Sequence, residues 1–109
     1  MDDSVVKHKN VVEFLGVSIQ EQDGKMMCFL VTELMHQGNL RELLDKKGSN
    51  LPWKVRLKLL RDAAKGMVFL HSRKFIHRDL KPQNLLVNNR WQCKVRRSIA
   101  RAFEDAVRI

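Results

Sequence analysis

The sequence is poor in the residues that mark several protein classes, with no tyrosine, two cysteines and five glycines among 109 residues. So few cysteines exclude a disulfide-stapled scaffold, and so few glycines exclude a collagen-like repeat. The longest apolar run, residues 26–31, is much shorter than the roughly 18 residues that span a bilayer. Residues 1–3 precede no apolar segment of the kind that a secretory signal carries. We therefore expect a cytoplasmic chain without a transmembrane segment, in which Cys28 and Cys93 are buried, reduced thiols.

The chain is strongly basic, with 21 Lys and Arg residues against 12 Asp and Glu residues and a formal net charge of +9. Such a balance can indicate a nucleic-acid partner or an anionic membrane surface. However, the basic residues are spread along the whole chain and aromatic residues make up only 6%, which is atypical of RNA-binding surfaces. We therefore expect no nucleic-acid partner, although the Arg-rich segment 96–109 leaves a nucleic-acid or membrane-surface binder as an alternative.

Two apolar segments near the start of the chain predict a pair of strands. Residues 8–19 and 26–35 are rich in β-branched and other apolar residues. Between them, Asp23-Gly24 is typical of a hairpin turn, because both residue types tolerate positive φ. The sequence therefore predicts an antiparallel hairpin whose two strands are largely buried.

Two helices are predicted next. A short helix at 40–46 follows Asn39, whose side chain can cap the free amides of a first turn. A long helix at 53–72 follows Pro52, which suits a helix start because its missing N–H costs no hydrogen bond there. The long helix carries two adjacent apolar stripes, so we expect it to be buried on more than one side. The stripes are Leu57, Leu60, Ala64, Met67 and His71, and beside them Leu59, Ala63, Gly66 and Leu70; brief strands are predicted at 75–76, 85–87 and 91–95.

A polar loop between two of these brief strands contains residues suited to one kind of chemistry. Asp79 can accept a proton from an attacking hydroxyl group. Lys81 is a point charge suited to a phosphoryl group in transfer. Asn84 offers a carbonyl oxygen of the kind that Mg²⁺ prefers. The loop therefore has the residue types for phosphoryl transfer, a reaction in which the protein mainly positions and stabilises charge.

Residues 77–84 read His-Arg-Asp-Leu-Lys-Pro-Gln-Asn and match the signature H-R-D-L-x-x-x-N, so the chain resembles the protein kinase family. Its Lys-Pro pair is the form usual in Ser/Thr-type kinases, and the segment 31–40 is similar to the hinge between kinase lobes, in the form of the tyrosine-kinase-like branch. The resemblance implies an α+β fold, a partial protein kinase domain at 4–95 with an N-lobe strand remnant, hinge, C-lobe helices and catalytic loop. Residues 96–109 would then be a divergent basic tail.

The resemblance also implies roles for the loop residues, with ATP and Mg²⁺ as cofactors and protein Ser/Thr hydroxyls as phosphate acceptors. Asp79 would be the catalytic base for the substrate hydroxyl. Lys81 would steady the γ-phosphate of ATP, and Asn84 would be a Mg²⁺ ligand.

A second group of residues would hold the adenine of ATP. By resemblance, Leu86 would pack under the adenine ring, and backbone groups of Glu33 and Met35 would hydrogen-bond to its edge. Thr32 would be the gatekeeper at the back of the pocket.

Several parts of the family's catalytic site are missing from the sequence. It contains no G-x-G-x-x-G segment and no V-A-I-K lysine to hold the phosphates, and Arg96-Arg97 stands where Asp-Phe-Gly is expected. We therefore expect phosphoryl transfer by this chain alone to be undetectable or nearly so. The change of character at 95/96 suggests a truncated product, an alternative transcript or a mis-joined reading frame. A non-catalytic module that binds or regulates another kinase, or a regulator of one, is an alternative function.

Overall fold

The computed structural model of the chain describes residues 7–73 and 80–97, and the predictions at 75–76 and for the tail beyond residue 97 lie outside these ranges. The described part combines antiparallel strands with two α-helices, which confirms the α+β class. None of its helices is long and apolar enough to cross a bilayer. The elements are β1 Phe14–Gln22, β2 Lys25–Thr32, β3 Gly38–Asn39, α1 Leu40–Lys47, α2 Trp53–Ser72, β4 Leu85–Val87 and β5 Cys93–Val95, with 3-10 turns at Gly48–Asn50 and Pro82–Asn84.

The strands β1 and β2 form the predicted antiparallel hairpin, with Gln22 opposite Lys25 across the turn. Asp23 and Gly24 have φ values of 52° and 76°, which is the left-handed pair that matches the twist of the two strands.

The predicted burial of this hairpin is wrong, because most side chains of both strands are exposed. In the described part of the chain the hairpin forms a sheet of its own, with no extensive contact to another element. A two-stranded sheet cannot shield both of its faces by itself. The exposed apolar side chains are Leu15, Val17, Ile19, Met26, Met27, Phe29 and Val31.

Local hydrogen bonds fix both ends of α1. The Asn39 side chain accepts a hydrogen bond from the Glu42 amide at 2.8 Å and donates one to the Glu42 carboxylate at 2.6 Å. At the other end, the Gly48 amide donates to the Leu44 carbonyl with Gly48 at a φ of 52°, a conformation that favours glycine. The predicted N-cap is therefore confirmed.

Helix α2 begins directly after Pro52, as predicted, but it buries only one of its two apolar stripes. Leu59, at 1% exposure, belongs to the buried stripe, whereas Leu57 and Leu60 of the other stripe are exposed. The expectation of burial on several sides is wrong, because within the described ranges only one layer packs against the helix. The buried stripe is Leu59, Ala63, Gly66 and Leu70.

The three-stranded sheet β3–β4–β5 provides that layer, with β5 lying against α2. The Asp62 carboxylate of α2 accepts hydrogen bonds from the Lys58 ammonium at 2.6 Å and from the Cys93 amide at 3.0 Å.

Burial of the Cys93 thiol, reinforced by the Asp62 charge and opposed by Lys58, raises its pKa to about 12. Cys93 is buried as expected, but Cys28, on the hairpin, is exposed, so that half of the cysteine prediction is wrong.

Residues 8–13, here called the joint, connect the hairpin to this core. The Val95 amide donates to the Asn10 carbonyl at 2.8 Å, and the Val12 amide donates to the Val95 carbonyl at 2.9 Å. The Asn10 side-chain amide donates to the Cys93 carbonyl at 3.0 Å. The joint therefore brings the segment before β1 into register with β5.

Candidate functional site

The sheet β3–β4–β5 presents one face to α2 and the opposite face away from it. On β4, Leu85 and Val87 are buried, and Leu86 between them is only partly buried. Leu86 is the cross-strand partner of Lys94 on β5, which likewise lies between two buried residues. Because paired residues of an antiparallel sheet share a face, Leu86 and Lys94 lie side by side on the face away from α2.

The segment that resembles a kinase hinge follows the end of β2 and runs alongside β4. The Thr32 hydroxyl donates to the Glu33 carbonyl at 3.3 Å, and the Gly38 amide donates to the Met35 carbonyl at 3.1 Å. Each of these carbonyl oxygens has a second lone pair, so both keep the capacity to accept from a ligand. Beyond them, the Gln37 amide donates to the Val87 carbonyl at 2.9 Å, which joins the segment to the sheet.

Lys94 links this segment to the sheet face that carries Leu86. Its ammonium group lies 2.8 and 3.0 Å from the two carboxylate oxygens of Glu33. One of those oxygens also accepts the Glu13 amide of the joint at 2.7 Å. The ion pair therefore joins Glu33 to the cross-strand partner of Leu86.

A cleft of about 360 Å³ lies on the joint side of the Glu33–Lys94 ion pair. Its lining includes Glu33 but not Leu86, Thr32 or Met35, so it shares only Glu33 with the predicted adenine site. The lining residues are Lys7, His8, Lys9, Val11, Glu13, Glu33 and Lys94.

The loop that carries the chemistry is described from Leu80 onward, so the predicted catalytic base Asp79 lies outside the described residues. Lys81 is exposed and extended, and its carbonyl accepts the Asn84 amide at 2.8 Å to close the 3-10 turn Pro82–Asn84. Asn84 is buried at the end of this turn, directly before β4. The turn therefore fixes the position of Asn84 relative to Lys81.

Arg96 contacts Asn84 through both its backbone and its side chain. The Arg96 amide donates to the Asn84 carbonyl at 2.8 Å, and its guanidinium donates to the Asn84 side-chain oxygen Oδ1 at 2.9 Å. The same guanidinium nitrogen lies 3.4 Å from the Gln83 carbonyl. The atom predicted to bind Mg²⁺ is thus already the acceptor of a charged hydrogen bond.

This contact does not fit a divalent cation at Asn84. A Mg²⁺ ion lies about 2.1 Å from its oxygen ligands, so on the Oδ1 atom it would stand within about 5 Å of the guanidinium. At that separation a double and a single positive charge repel by several kcal/mol, even at an effective dielectric constant of about 20. In the described ranges no group of three or more His, Cys, Asp or Glu side chains could hold a metal ion instead.

Sequence reasoning did not single out Lys94 or identify Asn84 as the contact of Arg96. A signal for Lys94 was present, because a charged residue between the apolar Cys93 and Val95 must lie on the opposite sheet face. No local pattern indicated that the Arg96 side chain turns back onto Asn84, since that contact depends on the register of β4 with β5.

Comparisons with a family model and with known proteins both identify kinases as similar to this chain. A family model described as protein tyrosine and serine/threonine kinase matches residues 3–105. Three proteins of Dictyostelium discoideum, each named "Probable serine/threonine-protein kinase", are similar to the chain. The first is 42% identical over 88 residues, 81% of this chain. The second, kinX, is 42% identical over 81% of the chain, and the third, drkA, is 39% identical over 83% of it.

The matched segment is a small part of each of these relatives. It spans 20% of the first protein, 8% of kinX and 14% of drkA. The chain therefore corresponds to a fifth or less of the length of these relatives.

Proposed function

Because the chain belongs to the protein kinase family, we propose that it carries the adenine-facing part of a kinase nucleotide site and binds ATP there. The proposal rests on one observation, the grouping of Glu33, Lys94 and Leu86. Through Lys94, this grouping joins the Glu33 side chain of the hinge-like segment to the sheet face that carries the apolar Leu86. An adenine ring needs both an apolar surface and hydrogen-bonding groups at its edge.

The reaction of the family is transfer of the ATP γ-phosphate to protein hydroxyl groups, and we assign Ser and Thr hydroxyls as acceptors for the protein to which this sequence corresponds. The Ser/Thr kinase names of the relatives support this assignment. In this assignment Asp79 is the base that takes the hydroxyl proton, and Lys81 stabilises charge on the transferred phosphate.

For this chain alone we propose ATP binding without turnover. No glycine-rich phosphate loop or V-A-I-K lysine is present in the sequence, and Arg96-Arg97 replaces the expected metal-binding acid. Loss of one electrostatic partner from such a site typically reduces kcat by about 10²–10³.

Calorimetric titration of the full chain with ATP tests the nucleotide site, and a phosphate-release assay tests turnover. We expect saturable ATP binding that Leu86→Glu abolishes, because a carboxylate would then lie under the apolar ring. Leu80→Glu is the matched control, since Leu80 is exposed outside this sheet face. Absence of ATP binding by the unchanged chain would contradict the nucleotide site, and turnover lost in Asp79→Asn would contradict the proposed inactivity.

A second candidate is a binding module that contacts a complete kinase without turning over ATP. The exposed apolar side chains of α2, which include Trp53, Leu57, Leu60 and Val68, favour it. Saturable binding to a full-length protein kinase, weakened by a Leu57→Lys/Leu60→Lys double variant and unaffected by Leu86→Glu, would support this function over the first.

A further inference from the structure

Helix α2 carries an apolar stripe on the side away from the sheet β3–β4–β5. Its members recur every three or four residues over about four turns of the helix. Because a helix turns by about 100° per residue, this stripe lies opposite the buried one that contains Leu59 and Gly66. The exposed stripe consists of Trp53, Leu57, Leu60, Ala64 and Val68. Side chains at this spacing share one face, as in the seam between two packed helices.

Basic side chains lie along one flank of this exposed stripe. They belong to Lys54, Arg61 and Lys65, and among the described residues none of the three has an ion pair or a side-chain hydrogen bond. The one acidic residue of α2, Asp62, is 7% exposed and already accepts hydrogen bonds from a neighbouring ammonium and a sheet amide. The accessible surface of α2 therefore carries positive charge with no acidic residue of its own to balance it.

These charges argue against a second copy of the chain as the partner of the stripe. In an antiparallel pair of α2 helices related by a two-fold axis, the same flank of each helix faces the other, so the basic residues would meet one another. In a parallel pair the opposite flank, which carries Arg56, would meet them instead. Either arrangement places like charges together, which is destabilising.

We propose that the exposed stripe of α2 is a docking surface for an acidic amphipathic helix of a partner protein. Apolar side chains of the partner cover the stripe, and its Asp or Glu residues pair with Lys54, Arg61 and Lys65. Trp53 is 73% exposed, and the Arg56 guanidinium lies 5.4 Å from its ring centre. These two residues form an anchor at the start of the surface, because Trp and Arg are enriched among the side chains that dominate binding energy.

The inference rests on the binding module given above as the second candidate function, for which it names the class of partner. Fluorescence anisotropy of a labelled peptide tests it on the full chain. The probe is an amphipathic peptide of about six helical turns with Leu at heptad positions a and d and Glu at e and g. The same peptide with Lys at e and g is its matched control. We expect the Glu peptide to bind about tenfold more tightly or better, and added sodium chloride to reduce this preference.

Charge reversal on the flank distinguishes a specific pairing from general attraction to a basic protein. Arg61→Glu/Lys65→Glu should make the chain prefer the Lys peptide, a result that an unfolded variant cannot give. Lys25→Glu/Lys46→Glu changes the net charge by the same amount at exposed positions on the hairpin and on α1. That control should keep the preference for the Glu peptide.

The outcomes are distinct for this inference and for the proposed functions. Equal binding of the two peptides, binding of neither, or no reversal in Arg61→Glu/Lys65→Glu would each overturn the inference. Glu-peptide binding that survives in Leu57→Lys/Leu60→Lys would place the contact elsewhere and overturn it too. A full-length kinase that still bound through α2 would then leave the second candidate function intact, and the ATP titration does not depend on any of these results.

Discussion

The β1–β2 hairpin has long strands that are mostly exposed, whereas the core around α2 has short strands that are buried. The hairpin strands are 9 and 8 residues long and are mostly exposed. The strands β4 and β5 have only 3 residues each, yet Val87, Cys93 and Val95 at their pairing are fully buried. The length and register of a strand pair can therefore arise from local pattern and turn chemistry, whereas burial depends on a second layer across the sheet face.

The two regions should also differ in how much they contribute to the free energy of unfolding. Apolar side chains contribute to stability mainly through the area they remove from water, so the exposed hairpin side chains contribute little. The stability of the described part should therefore reside in the packing of α2 against β4 and β5. Four measurements test this comparison.

The largest expected effect is a difference in thiol reactivity, since each region carries one cysteine. Cys28 on the exposed hairpin should react readily with a small alkylating reagent at neutral pH. Cys93 is fully buried with its pKa raised to about 12, so it should react only when the core opens. We expect labelling of Cys93 to be slower by about 10³-fold or more, the factor given by roughly 4 kcal/mol of opening free energy.

Mass spectrometry of the peptides at increasing labelling times measures both rates in one sample. The variants Cys28→Ser and Cys93→Ser identify each signal. Equal rates for the two thiols would contradict the assignment of a stable core and an uncovered hairpin.

The second-largest expected effect is on the free energy of unfolding when apolar side chains of the two regions are truncated. Leu59→Ala should lower the free energy of unfolding by about 2–5 kcal/mol, because it leaves a cavity in the core. Ile19→Ala on the hairpin, where the side chain is 66% exposed, should change it by no more than about 0.5 kcal/mol. Leu60→Ala, with 53% exposure on α2 itself, is the control for helix propensity. Urea unfolding followed by circular dichroism gives all three values, and a cost for Ile19→Ala close to that of Leu59→Ala would show that the hairpin is covered.

The joint is tested by Gly66→Ala. A Cβ atom at Gly66 would overlap the Asn10 carbonyl oxygen and approach Val95 Cγ2 to 3.0 Å. We expect a loss of about 1–3 kcal/mol from this overpacking, although glycine to alanine in an open helix interior gains up to about 1 kcal/mol. Ala64→Gly at an exposed position of α2 measures the propensity alone. A stabilised Gly66→Ala variant would show that the Asn10 carbonyl lies farther from α2 than in this structure.

The smallest effect concerns pH. Burial of His8, with the charges of Lys9 and Lys65, lowers its pKa below the ordinary 6.5. Its neutral ring accepts the Asn10 amide at 3.0 Å on Nδ1 and stacks on Phe69 at a centroid distance of 4.6 Å. Since the unfolded chain binds the proton more readily, stability should be fully present above about pH 6.5 and fall as pH drops toward the lowered pKa of the folded state.

Urea midpoints between neutral and mildly acidic pH measure this loss. His8→Gln should remove the pH-dependent step, and His71→Gln at an exposed position should retain it. A step that survives in His8→Gln would assign the effect to another group.

Local signals in the sequence predicted local features well. The Asp23-Gly24 turn and the Asn39 cap depend on residues within a few positions of each other, and both occur as predicted. The start of α2 after Pro52 has the same origin. Such features could be predicted because each depends on a few residues that are neighbours in the sequence.

Burial and the candidate site depended on contacts between distant positions. The exposed side of α2 and the hairpin strands carry the apolar pattern of buried elements. The sequence pattern alone therefore could not predict that they are exposed. Likewise, Glu33 and Lys94 are 61 positions apart, and their ion pair forms only once the joint and the sheet are in place. The roles of Lys81, Asn84, Glu33, Met35, Thr32 and Leu86 stay predictions, and that of Asp79 lies outside the described residues.

The Glu33 carboxylate determines how the hairpin responds to dissolved salt. Its ion pair with Lys94 attaches the end of the hairpin to β5, whereas the core is stabilised by apolar contacts. Dissolved ions weaken charge attraction but strengthen or leave unchanged the exclusion of apolar groups from water. Because the side chains of Lys94 and Glu33 are only 14% and 25% exposed, this pair is screened less than a surface pair. Sodium chloride should therefore weaken the attachment of the hairpin only slightly and leave the helix and its sheet intact.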